Sequence, residues 1–508
     1  MKDVKKKMLG RIENTGGAGS GHRYDKLAAL WATLSVLILP ALLSCSRVDS
    51  TGVQKKPNIL LFSIDTLRAD HMGCYGYKRN TTPVIDDLAK RSTLYWETLA
   101  PAPWTLPSHA GMLTGVHPYR LGILDRNGAL PSGTRVLAEY LKADGYATAG
   151  FVDDIPGGWI GAERGFGKGF DSYTHLPDEL ESEYHYDMAA TADAVITWLR
   201  EKDPDKPFFV FMHTKSVHAL PGDHPSRDSR KFPYDKPEPY RTMFLNDQER
   251  QLHWTDPRYG EAVKYLRGVN ELVAEGKLDG NQLPELRISA LKGQYDAGIF
   301  YTDKHFGRVL KELDERGIAD RTVVIVTSDH GEAFMEHNLL LHKEVYRQLL
   351  RVPLIIHLPW ENEGRVVNKW ASLMDIVPTI LDLTGVPFPQ SIQGSPLPVE
   401  EPAEAEGREY FAYYRDSPDY YYEGYALRDA GWTLVYQRLG RRKEYIAELY
   451  QHNLDREEMR QLNDKEGIKS EMLVRLRENM QRTPVEGEKR IEMDKRTLEH
   501  LNSLGYIQ

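Results

Sequence analysis

Three short stretches carry residue types that could hold a metal and attack an ester. Thr105 opens the run Thr105-Leu106-Pro107-Ser108-His109. Two polar stretches close apolar runs: Ser63-Ile64-Asp65-Thr66, and Thr327-Ser328-Asp329-His330-Gly331-Glu332. A hydroxyl is a weak nucleophile at neutral pH and needs a base or a metal to lower its pKa. Two carboxylates and an imidazole suit Zn²⁺ or Mn²⁺ ahead of Ca²⁺ or Mg²⁺. Asp65, Asp329 and His330, together with the hydroxyl oxygen of Thr105, are therefore the expected ligands of one or two divalent ions. Pro107 is tolerated in a first helical turn. A helix starting there would leave Thr105 at its positive end, where N–H donors can receive a tetrahedral anion. The implied chemistry moves a sulfuryl or phosphoryl group from an ester to Thr105 and then to water. Glu332 is placed to orient His330 or a ligand, and Thr66 is read as a turn residue or a contact behind the ligands.

The elements around these stretches predict how they meet. Pro57 to Ile64 and Arg321 to Thr327 are apolar runs without a polar face, as buried parallel strands are. Ligands in open α/β sheets collect at the carboxyl ends of such strands. Amphipathic segments at 82–92, 135–145, 188–202 and 286–317 alternate with strands at 92–99, 147–152, 207–212 and 352–356. The alternation predicts a large, mostly parallel central sheet sandwiched by helices. In the long 286–317 helix, Asp303 reads as a solvated or capping residue. After about residue 387 the composition changes. Tyrosine-rich strands at 409–415, 425–428 and 432–437 suggest a small antiparallel sheet in a C-terminal α+β subdomain, with a charged helical segment over 465–508.

The chain has 508 residues, a net charge of −9 and two cysteines, Cys45 and Cys74. The charge argues against nucleic acid as a partner, and two cysteines exclude a disulfide framework or a Cys-rich zinc site. A basic start (Lys2, Lys5, Lys6, Lys7, Arg11) precedes an apolar run from Leu27 to Leu43, which ends Leu42-Leu43-Ser44-Cys45. This pattern resembles a lipoprotein signal with lipidation at Cys45; a retained N-terminal anchor is the alternative. Either places the body outside the cytoplasm and tethers it to a membrane. The reading divides the chain into a signal or anchor (1–45), a tether (46–56), a catalytic domain (57–386) and a C-terminal subdomain (387–508).

The order of the motifs resembles the sulfatase family of the alkaline-phosphatase superfamily. The carriers are Pro57-Asn58-Ile59 leading to Asp65, then Gly73-Cys74-Tyr75-Gly76, then Thr105-x-Pro107-Ser108 with Thr114-Gly115, then Asp329, and finally Glu448-Leu449-Tyr450. The family's modifiable Cys or Ser is Thr105 here, so the formylglycine nucleophile is not available. The second Asp of its first pair is Thr66, its Arg is His109, and its later Asp-Asn is Asp329-His330. A Thr nucleophile beside an Asp-His pair resembles the phosphodiesterase and phosphoethanolamine-transferase branches, which favours phosphoester over sulfate-ester hydrolysis. The resemblance implies a substrate-binding histidine near His218, with His213 five residues before it. It also implies a role for His342, in the slot of the family's active-site Lys, and for its neighbour Lys343. His109 then either contacts the ester or packs. His337 and His342 could hold a second metal or the leaving oxygen. Arg120 matches a family segment but lacks the histidine that often follows it. Residues 221–285 resemble the family's variable lid. The expected partner is a small-molecule, glycan or lipid ester. The competing readings are a phosphoryl-headgroup transferase and a non-catalytic glycan-binding protein.

Overall fold

A computed structural model describes residues 55–154, 156–176, 187–219, 232–254, 266–270, 272, 284–399, 408–415, 422–438, 444–481 and 489–490. Cys45, the apolar run before it, most of the tether, much of the 221–285 segment and residues 491–508 lie outside the described residues.

The central sheet has eight strands: β1 (Asn58–Ile64), β2 (Thr93–Leu99), β3 (Ala147–Val152), β4 (Ser172–His175), β5 (Phe208–Thr214), β6 (Thr322–Ser328), β7 (Arg351–His357) and β8 (Arg365–Ser372). Their order across the sheet is β8-β2-β7-β6-β1-β5-β3-β4. Only β7 runs against its neighbours; every other pair is parallel. The expected mostly parallel sheet is the one observed. The edge strands β4 and β8 had no clear signal in the sequence. β4 is only four residues long, and β8 mixes exposed and buried positions without strict alternation.

β1 explains why the sheet is buried on both faces. Ile59 and Leu61 join one core with the helix α2 (Thr105–Thr114), α3 (Leu137–Ala143) and α6 (Ile376–Thr384). Leu60, Phe62 and Ile64 join the other, with α1 (Pro83–Ala89), α4 (Met188–Glu201) and α5 (Glu285–Glu315). Alternate residues of a strand point to opposite faces, so a strand between two helical layers is apolar on both faces through its middle, here Ile59 to Phe62. Asp303 on α5 is buried, and its carboxylate accepts from the Val84 and Ile85 N–H groups at 2.9 and 2.8 Å. It caps α1 from a distance and is not solvated.

The second sheet runs in the order β9 (Tyr410–Arg415), β10 (Glu423–Arg428), β11 (Trp432–Arg438) and β12 (Ile446–Gln451), all antiparallel. The helix α7 (Glu466–Met480) packs Met472 and Leu476 on its Tyr413, Leu427 and Leu449. Lys489–Arg490 is strand, paired with Gly128–Ala129, where a helical segment was expected.

The end of β2 is pinned from below the loop that leads to Thr105. Glu97 takes Arg347 Nη1 and Nη2 at 2.6 and 2.8 Å, with both side chains buried. Removing one partner of a buried pair leaves an uncompensated charge, so Glu97→Ala is expected to cost about 3–5 kcal/mol in urea unfolding. Although burial alone would raise it, the arginines hold the Glu97 carboxyl below its ordinary value. A depressed folded-state pKa contributes stability above the unfolded value, near 4.3, and that contribution is lost as pH falls through the folded value. The gap between wild type and Glu97→Ala should therefore close on acidification below that range.

Candidate metal and ester site

The register of the sheet brings the polar strand ends together. Ile64 lies opposite Thr214 on one side and Ser328 on the other, so the chain leaves β1, β5 and β6 at one level. Asp65 and Asp329 are the first residues past two of these ends, and His213 is the penultimate residue of the third. All three are fully buried, as is His330. The Asp329-His330 turn is held against the short helix Arg347–Leu350 through Gly331. Its N–H donates to Leu349 O at 2.8 Å, and a Cβ on it would stand 2.1 Å from Gln348 O. No side chain fits there. Thr66 adopts φ 60, a strained conformation for a β-branched residue. It is fixed there from both sides: its N–H donates to Asp329 Oδ1 at 3.2 Å, and Tyr295 Oη donates to its carbonyl at 2.7 Å.

Ligand atoms of Asp65, Asp329 and His330 lie within 4.8 Å of one another, and so do those of His109, His213 and Asp329. His330 Nε2 stands 3.4 Å from Asp65 Oδ1 and 3.5 Å from Asp329 Oδ2, and His213 Nε2 stands 3.7 Å from Asp65 Oδ2. These gaps are too long for good hydrogen bonds and suit two ligands that each stand about 2.0–2.2 Å from one ion. Both Asp65 oxygens, Asp329 Oδ2, His330 Nε2 and His213 Nε2 are buried without a hydrogen-bond partner. Native proteins rarely leave such atoms unsatisfied. His330 Nδ1–H donates to Gly331 O at 3.0 Å, which leaves its Nε2 lone pair facing the carboxylates. The donor set therefore fits a divalent cation.

The charges agree with this. Burial and the neighbouring Asp65 push Asp329 well above the usual carboxylate range. Burial acts on Asp65 in the same sense, but His213, His218 and His330 outweigh it and hold Asp65 low. Two carboxylates this close resist joint ionisation unless a cation sits between them.

Thr105 is the first residue of α2, and Trp104 is the N-cap. The helix thus starts two residues before Pro107, and Thr105 is not the capping residue. It is 1% exposed. One turn on, His109 is also fully buried. Its Nδ1 meets Thr105 O at 2.9 Å and its Nε2 meets Ser63 Oγ at 3.1 Å. Both ring nitrogens are engaged within the protein, and Nδ1 also lies 3.6 Å from Asp329 Oδ2. Of the remaining predicted residues, His342 and His218 join the cluster. The His342 ring centroid is 4.6 Å from that of His330 and 5.1 Å from that of His218. Burial lowers both, His218 to about 4 and His342 well below the usual histidine value. Glu332, fully buried, is pushed up to about 8 by that burial, and its Oε1 is 3.4 Å from His342 Nδ1. Lys343 Nζ lies over the Tyr422 ring at 5.7 Å.

Two expected site residues are elsewhere. His337 stacks on Tyr346, centroids 3.5 Å apart, beside Tyr450 of the second sheet. Arg120 lines a cavity of about 150 Å³ with His117, Arg408 and Phe411, between the α/β body and the second sheet. Sequence reasoning gave no role to Ser63 or to the pair Asp154–Lys215. Lys215 Nζ and Asp154 Oδ1 are 2.8 Å apart, both fully buried. Asp153, which burial pushes up to about 7, takes the Thr214 hydroxyl at 3.1 Å and donates its N–H to His213 O at 3.1 Å. The available signal was a polar residue at or near a strand end in each case: Asp153-Asp154 after β3, Lys215 after β5, and Ser63 one residue before the end of β1.

Comparison with known proteins agrees with this architecture. The sulfatase family profile matches residues 57–386, and the profile of the N-sulphoglucosamine sulphohydrolase C-terminal region matches residues 335–486. An N-acetylglucosamine-6-O-sulfatase of Bacteroides thetaiotaomicron is 25% identical over 456 residues, spanning 77% of this chain and 80% of the relative. The iduronate 2-sulfatase of Mus musculus is 27% identical over 394 residues, spanning 65% and 69%. Among solved structures, the phosphonate monoester hydrolase of Agrobacterium radiobacter superposes with a TM-score of 0.64 at 21% identity, covering 84% of this chain and 96% of that one. A protein solved in complex with its substrate D-glucosamine-2-N,6-O-disulfate gives 0.62 at 21% identity, covering 89% and 98%. With the family profile spanning most of the chain, residues 57–386, the protein belongs to the sulfatase family of hydrolases.

Proposed function

We propose that this chain is a metal-dependent ester hydrolase that uses Thr105 as its nucleophile, with Asp65, Asp329 and His330 holding the cation. The observation that supports it most is the convergence of unpartnered, fully buried ligand atoms from these three residues at the carboxyl ends of the central strands, beside α2. Bound there, Zn²⁺ or Mn²⁺ would lower the pKa of a nearby hydroxyl and draw charge from an ester oxygen. The Thr105 hydroxyl gives up its proton to solvent as its oxygen attacks the sulfur or phosphorus; a bond to Thr105 forms and the bond to the leaving alkoxide breaks. The first N–H groups of α2 are available to the group's oxygens. Water then cleaves the Thr105 ester, returning a proton to the Thr105 oxygen, and releases sulfate or phosphate, or from a diester or phosphonate the corresponding monoester or phosphonate.

His218 and His342 serve the leaving group. Burial keeps both rings neutral, but an anionic ester beside them favours their protonated form. Either ring can then pass a proton to the departing alkoxide. Lys343 adds positive charge behind His342. Replacing His342 or His218 with Ala should cost about 10²- to 10⁴-fold on alkyl esters, whose alkoxides need the proton. The loss on a 4-nitrophenyl ester should be much smaller. Equal losses on both substrates would remove the acid role.

Thr105 and the Asp329-His330 pair favour phosphate esters over sulfate esters. The named activities of the relatives favour sulfated sugars as the alternative. The panel that decides it pairs aryl sulfate, phosphate monoester, phosphodiester and phosphonate with the metal-loaded chain; sulfate turnover alone would reject the phosphoester preference. The apolar run and Cys45 support an exported, lipid-tethered protein. Among the described residues no helix is long and apolar enough to cross a membrane.

A further inference from the structure

The two histidines behind Asp65 and Asp329 are linked through one serine, and the direction of each hydrogen bond in that link can be worked out. The Thr105 carbonyl only accepts, so His109 Nδ1, 2.9 Å away, carries the ring proton. His109 Nε2 then accepts, and the group 3.1 Å from it is Ser63 Oγ, which has one proton to give. Ser63 Oγ is left with lone pairs, and His213 Nδ1 lies 3.3 Å from it. That nitrogen is therefore the protonated one in His213. Its lone pair is on Nε2, which is buried without a partner and faces Asp65 Oδ2 at 3.7 Å. Ser63 and His213 are register partners on β1 and β5, so the sheet itself fixes this spacing. The two imidazoles meet edge to face, centroids 4.5 Å apart at 85°. Of these two rings, only His213 has a nitrogen to spare.

We infer that His213 is a fourth protein ligand of the cation, through Nε2, and that His109 acts through Ser63 as a positioning residue that fixes the His213 tautomer. The inference rests on the metal site proposed above. It gives His109 a role that does not require contact with the ester, and it gives Ser63 a reason to interrupt an apolar strand. A metal-bound imidazole commonly hands its other N–H to an acceptor that sets its orientation. Here that acceptor is itself oriented from the nucleophile's own peptide group.

The test is Co²⁺ binding to the metal-free full chain, read by chelator competition and by the visible absorption of the bound ion. Asp329→Ala should abolish binding. His213→Ala should weaken it by more than about 100-fold, beyond the roughly 10–100-fold typical of residues behind the ligands, and should shift the absorption. Ser63→Ala and His109→Phe should each weaken binding within that 10–100-fold range without shifting the absorption, and the double variant should be no worse than Ser63→Ala alone. His213→Asn, closer in size, covers the case in which the alanine variant fails to fold. Unchanged affinity and absorption in the His213 variants, with binding still lost in Asp329→Ala, overturns the inference and makes His213 an ion-pair partner of Asp65. Binding that survives Asp329→Ala overturns the metal site itself.

Discussion

Thr105→Ala, loaded with metal, is expected to lose roughly 10⁴- to 10⁶-fold in kcat, the scale on which other covalent-catalysis enzymes respond to removal of their nucleophile. The variant should fold normally. Thr105 begins α2 without capping it, so its hydroxyl is not needed to start the helix. Metal affinity should fall only modestly, since the two carboxylates and His330 remain. Thr105→Ser keeps a hydroxyl at the same place and should keep measurable turnover; it loses the methyl that restricts the side chain's rotamers. Acid-quenched wild type, caught with a poor second-step substrate, should carry the transferred group on the peptide containing Thr105. If Thr105→Ala keeps wild-type turnover, the nucleophile is water or another side chain, and the mechanism above is wrong from its first step.

The second large effect concerns the carboxylate pair. Asp329→Asn is expected to abolish stoichiometric metal binding and with it at least about 10³-fold of activity, because the metal's charge stabilisation is worth several kcal/mol. The same substitution should stabilise the metal-free chain. The reason is the sign of the Asp329 shift: burial and Asp65 raise its folded-state pKa. A raised carboxyl contributes stability that is complete below its unfolded value, near 3.9, and is lost as pH rises through the folded value. Chelator-treated wild type should thus melt at lower temperature as pH is raised, whereas chelator-treated Asp329→Asn should change less. Metal-loaded wild type should behave oppositely, since the ligands must lose their protons to bind. Thermal melts at two pH values, with and without chelator, separate the three cases. Parallel curves for wild type and Asp329→Asn without metal would show that the two carboxylates do not oppose each other.

Much of this site could be read from the sequence because its parts sit where a simple pattern changes. A strand with an apolar middle that is followed by Asp, or by Asp-His, states both the layer it occupies and the end that carries chemistry. β1 and β6 followed that rule. α5 was visible because its length and period leave no other element. What could not be read depended on neighbours far away in the chain. His109 has a polar ring on a buried helix, and only the register of β1 supplies Ser63 to one of its nitrogens. Arg120 and His337 have residue types that suit a site. The second sheet packs beside both, and that packing is set by tertiary contacts with no local signature. β4 and β8 were missed because short or irregular edge strands carry no period to detect.

Asp65 and Asp329 belong to strands paired side by side, yet the hydrogen bond that locks their turns, from Thr66 to Asp329, closes a separation of 263 residues. Parallel pairing of segments so distant is entropically the last to be repaid during folding. The site therefore cannot exist on a partly assembled chain: until β6 docks on β1, the ligands are unconnected groups with no more affinity for a cation than isolated side chains. Acquisition of the ion is then a chronometer of the docking of β6 on β1, and in refolding from denaturant the uptake of Co²⁺ colour should lag the formation of helix and appear with the long-range sheet.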